Sequence, residues 1–98
     1  MVYYIKVITA KERICKMETR IAVIAIIVRD PESAAGINAL LHEYDTFVIG
    51  RMGVPYRSKE VSIISIAIDA PQDKINTLTG KIGRLHGVSA KTVYAPND

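Results

Sequence analysis

The run Ile21–Val28 ("IAVIAIIV") is echoed forty positions later by Val61–Ile68 ("VSIISIAI"), and Pro31 is echoed by Pro71. Each run is apolar at nearly every position, the pattern of a strand buried on both faces. One step further out of phase, Ile37, Leu41 and Tyr44 correspond to Leu78, Ile82 and Leu85, at the spacing of one helix face. A chain of 98 residues that writes strand and helix twice has few ways to close. Its two halves are β-α-β units in tandem. Right-handed crossovers then place four antiparallel strands side by side with both helices on one face. The expected fold is α+β, a ferredoxin-like βαββαβ sandwich.

Local signals punctuate that plan. Asp30-Pro31 suits a helix start, and Ile37, Leu40, Leu41 and Tyr44 give the first helix its buried stripe. Asp69-Ala70-Pro71 reads as the second start, with Asp30 and Asp69 both explained as caps. The second stripe is Ile75, Leu78, Ile82 and Leu85, closed by Gly87, and "VSAKTVY" forms the last strand. The second strand begins with "FVIG", and Gly53-Val54-Pro55 is expected to end it and turn the chain towards the third.

Such a fold leaves one sheet face without helices. On the third strand Ile64, Ile66 and Ile68 share a face and can meet them. Val61, Ile63, Ser65 and Ala67 point the other way, beside Ile21, Val23, Ala25 and Ile27 or the opposite set of the first strand. An open apolar face of that size marks a contact surface. The expected use is a homo-oligomer interface, dimer or tetramer, with small residues permitting close approach.

Charge narrows the partners. The chain carries a formal +3, but that surplus lies wholly within residues 1–16, and the remainder is neutral. A neutral domain lacks the excess cations that drive nucleic-acid affinity, so direct nucleic-acid binding is not expected. No apolar run reaches the ~18 residues of a membrane span. A lone cysteine, Cys15, cannot staple a fold, and the natural setting is a reducing cytoplasm. Residues 1–16 are read as an N-terminal extension, non-native or disordered, with Met17 as a start and residues 17–98 as one domain. An extra strand in "VYYIKVIT" is the other reading. If the extension is dispensable, thermal unfolding of Met17–Asp98 and of the full chain should agree within ~4 °C, about 1 kcal/mol at this size.

Candidate chemistry is sparse. His42 lies opposite the first helical stripe, and His86 sits at a helix end where it favours the dipole. Neither has a His, Cys or carboxylate at local ligand spacing, and Cys15 has no CxxC partner. No catalytic residues, metal or cofactor are expected, and the chain is not read as an enzyme. The stretch "IGRMGVPYR" is different. Gly50 inside a strand marks a bulge or a close backbone approach. Gly50, Arg51, Met52, Gly53, Tyr56 and Arg57 are the candidate ligand- or partner-binding residues: glycines for access, arginines for an anion or carboxylate, tyrosine for an amphipathic surface.

From about Arg20 to Tyr94 the chain resembles the iron-only hydrogenase system regulator family. The resemblance rests on "RIAVIAIIV", "INALLHEY", "IGRMGVPY", "SIISIAIDAP" and "GKIGRLHGVSAK", in that order. It implies an ACT-like fold, similar also to the C-terminal domain of the nickel-responsive regulator, and a small regulatory or ligand-sensing role. Nickel binding is not implied, because those regulators use histidines and a cysteine near the sheet and these strands have neither. Their separate ribbon-helix-helix domain has no counterpart in sixteen residues, so a regulator without its own DNA-binding domain is expected. The alternatives are a small dimeric α+β enzyme and a structural protein-binding accessory module.

Overall fold

The computed structural model describes residues 18–96, so the expectations for residues 1–16 lie outside the described residues. Four strands, β1 (Arg20–Val28), β2 (Val48–Tyr56), β3 (Val61–Ala70) and β4 (Val88–Tyr94), alternate with two helices. Helix α1 spans Ala34–Glu43 and α2 spans Gln72–Gly83. The sheet order is β2-β3-β1-β4, and every neighbouring pair is antiparallel. This is the ferredoxin-like split β-α-β arrangement expected from the repeat.

Register ties the repeat to the architecture. Ala25 pairs with Ser65 across the β1–β3 ladder, and Ser65 is also its counterpart forty residues on. The pseudo-two-fold axis relating the halves therefore passes through this pair. Both side chains there are small.

The ladder also settles which face each strand buries. Ala22, Ile24, Ile26 and Val28 of β1 and Ile66, Ile68 and Ala70 of β3 are buried towards the helices. They meet Ile37, Leu41 and Tyr44 of the first repeat and Ile75, Leu78 and Ile82 of the second. Burying one such aliphatic side chain is worth about 1.5–3 kcal/mol. Leu40 and Leu85 flank this core half-buried. Side-chain bonds stitch α2 to β4: Thr79 and Thr92 share a hydroxyl bond of 2.6 Å, and the Tyr94 hydroxyl donates to Asn76.

Two local expectations are corrected. Gly53-Val54-Pro55 does not turn the chain, because β2 continues to Tyr56 and the reversal is a short 3-10 turn, Arg57–Lys59, followed by Glu60 at φ 55°. Proline is tolerated in β2 because this is an edge strand with an unpaired outer side. Asp69 is not a cap. It lies in β3, exposed, while Pro71 precedes α2 without any side-chain capping bond. Asp30 does cap, its carboxylate accepting from the Glu32 N–H at 3.0 Å.

Candidate functional site

Strand β2 divides the stretch "IGRMGVPYR" between two surfaces. The β-bulge between Val48 and Gly50 resets its register against β3. Gly50, Met52, Val54 and Tyr56 then stand opposite Ala67, Ser65, Ile63 and Val61, on the face away from the helices. Arg51, Gly53 and Pro55 stand opposite Ile66, Ile64 and Ser62, on the helix side. The six candidate residues share one short stretch of sequence but do not form one site.

The face away from the helices is the larger surface. Val61, Ile63, Ser65 and Ala67 lie on it, the last three paired on β1 with Ile27, Ala25 and Val23. Val93 and Lys91 continue it on β4. Of the large hydrophobic residues left exposed, all but Ile49 sit here: Ile21, Val23, Met52, Val54, Tyr56, Ile63 and Val93. Met52 is 64% exposed and Val93 is 68% exposed. Soluble monomers seldom leave so continuous an apolar sheet in water. A Cβ built at Gly50 meets nothing within 4 Å, so among the described residues no neighbour requires glycine there.

The helix side of β2 forms a groove. A cavity of about 340 Å³ opens between α1 and the β2–β3 hairpin. Arg51 crosses the groove, its Nη2 donating to Asn38 Oδ1 of α1 at 2.7 Å. A second cavity of about 250 Å³, lined by His42, Asp45 and Val48, lies on the other side of that bridge. A Cβ at Gly53, on the same side of β2, would rest 3.9 Å from Ile64 Cγ1, an ordinary contact. Arg57 and Tyr56 line the larger cavity with Arg51, as do Arg29, Asn38 and Glu60. Those last three were not legible as site residues. Asn38 looks like an ordinary polar neighbour of the buried Ile37, and Arg29 and Glu60 like solvated loop charges.

The same end of the sheet also holds a polar junction that local sequence hid. His86 Nδ1 lies 2.7 Å from Asp30 Oδ2, fifty-six residues away in the chain. An ionised carboxylate only accepts, so the ring supplies the proton. Ser33, the only buried polar residue among those described, donates its hydroxyl to the His86 carbonyl at 2.6 Å. These bonds lock the β1–α1 loop to the α2–β4 loop. His42 is exposed, and among the described residues no three metal-ligating side chains cluster.

The His86 hydrogen bond, with the Glu32 N–H behind it, holds the Asp30 carboxyl below its usual range. A carboxylate whose pKa is depressed by folding stabilises fully above its unfolded value, near pH ~4, and loses that contribution as pH falls through the folded value. The stability advantage of wild type over Asp30→Asn should therefore shrink as pH falls from ~5 towards 2, measured by urea unfolding. A difference independent of pH would show that the carboxylate charge is not what the junction uses.

The described residues form a ferredoxin-like α+β domain with an aliphatic core, an apolar open sheet face and a groove beneath one edge. The chain belongs to the TM1266-like family, described as "Iron-only hydrogenase system regulator, putative", whose model matches residues 20–92. It is similar to the solved structure of the uncharacterized protein TM1266 from Thermotoga maritima, at 35% identity and a TM-score of 0.76, over 81% of this chain and 100% of that one. No curated protein matches. Among the described residues no helix is long and apolar enough to cross a membrane.

Proposed function

We propose that the chain is a regulatory module of an iron-only hydrogenase system that acts as a homo-oligomer and senses a small ligand or protein partner at its β2 edge. The open sheet face carries this reading: the exposed apolar residues of four strands form one surface centred on the small Ala25–Ser65 pair. A second copy of the chain is the occupant that suits it. The face already has approximate two-fold symmetry about that pair, as a self-complementary interface allows. It also carries one charge of each sign, Asp69 on β3 and Lys91 on β4, which two copies can pair.

The family description supports a regulator, and the ACT-like resemblance supports ligand sensing in a cytoplasmic protein. The enzyme alternative requires a constellation of acid–base groups in the core, and the described core holds Ser33, already bonded to a carbonyl, and Tyr44. Light scattering at micromolar concentration should give a dimer or tetramer mass. A stable monomer would overturn the assembly.

A further inference from the structure

We propose that the cavity between α1 and the β2–β3 hairpin binds a small organic carboxylate with an apolar body. This deepens the sensing role proposed above by naming the ligand class, and it needs only one chain, so it stands apart from the assembly. The volume, about 340 Å³, lies within the range of small-molecule sites. Its floor is apolar, with Val28, Ile37 and Ile64 from three elements. Its rim is basic. Arg29 follows β1, Arg51 projects from β2 and Arg57 opens the hairpin turn, against a single carboxylate at Glu60.

None of these arginines forms an ion pair with a carboxylate among the described residues. Arg51 uses one N–H on Asn38, leaving the rest of its five-donor guanidinium for a ligand. Unpaired guanidinium groups beside an apolar hollow favour an anion that they can clamp through two oxygens. The first turn of α1 also lines the cavity at Ala34, adding the positive end of a helix dipole. An inorganic anion alone would leave the floor wet. A neutral apolar molecule would leave the arginines unanswered. A carboxylate on an apolar body satisfies both halves, and the bridging Arg51 is placed to report its arrival by releasing Asn38.

The test uses the full chain and four probes: phenylacetate, phenylacetamide, acetate and inorganic phosphate, titrated by calorimetry, with light scattering on the same samples. Phenylacetate should bind saturably, and the amide, acetate and phosphate at least about tenfold more weakly, as expected for loss of a charge-assisted hydrogen bond or of the buried ring. Arg51→Met and Arg57→Met should each weaken phenylacetate by a similar factor. Absence of phenylacetate binding at millimolar concentration would overturn the proposal, as would equal binding of amide and acid, or of phosphate and phenylacetate. Binding lost with oligomer mass intact removes the ligand class alone, whereas a monomer that still binds removes the assembly alone.

Discussion

Ile63→Asp is expected to turn the proposed homo-oligomer into folded monomers. Ile63 sits near the middle of the open face, between Ile27 of β1 and Val54 of β2. In the single chain it is 42% exposed, so a carboxylate there keeps much of its hydration and the fold survives. Against a second apolar sheet the same charge would be buried without a partner, at a cost of several kcal/mol. A penalty of about 4 kcal/mol weakens a dimer by roughly three orders of magnitude, enough to empty it at micromolar concentration. Ile66→Asp is the contrasting variant. Ile66 is fully buried beneath the helices, so its loss should unfold the chain instead. Light scattering with circular dichroism separates the two results. Ile63→Asp that keeps the wild-type mass would show that this face is not the interface.

The faces could be separated this cleanly only with the ladder in view. In "IAVIAIIV" either alternate set can be the buried one, because both are apolar, and periodicity has no preference between them. Pairing with β3 decides it, placing Ile24 opposite Ile66 in the core and Ala25 opposite Ser65 outside. Strand and helix identities were legible because the repeat states them twice. The end of β2 was not. Gly53 and Pro55 are turn formers by composition, yet they lie in an edge strand, where a missing N–H costs little. The real reversal, Arg57 to Glu60, contains neither glycine nor proline and bends through a left-handed glutamate. As for the candidate groove, Arg51 was singled out by the glycines that frame it and Arg57 by its place at the end of the same stretch. Asn38, Arg29 and Glu60 join them only through the crossover of α1 over the sheet, which no local pattern records.

Gly87→Ala is expected to be the more damaging of two superficially identical glycine substitutions in the second repeat. Gly87 follows His86 at the α2–β4 junction with φ +69°, in the left-handed region. An alanine there costs roughly 1–2 kcal/mol in conformation alone. Its Cβ would also lie 2.8 Å from Asp30 Cβ and 3.0 Å from the Asp30 nitrogen, and that backbone has no flexible end to swing aside. Relief means moving the β1–α1 loop, which is held by the Arg29 N–H donating to the Gly87 carbonyl at 2.7 Å and by the Asp30–His86 bond. Together these should lower stability by about 3 kcal/mol, a fall in thermal midpoint of more than ~10 °C. Gly80→Ala changes the same atoms in the exposed middle of α2, where the nearest neighbour to a new Cβ is the end of Arg84 at 3.8 Å. It should raise stability by up to ~1 kcal/mol through helix propensity. Gly87→Asn divides the loss, since asparagine tolerates the left-handed region but carries the same Cβ. If it recovers most of the stability, conformation dominates; if it matches alanine, the contact with Asp30 does. A Gly87→Ala midpoint within ~4 °C of wild type would mean that the two loops separate freely and that the junction does not hold the halves together.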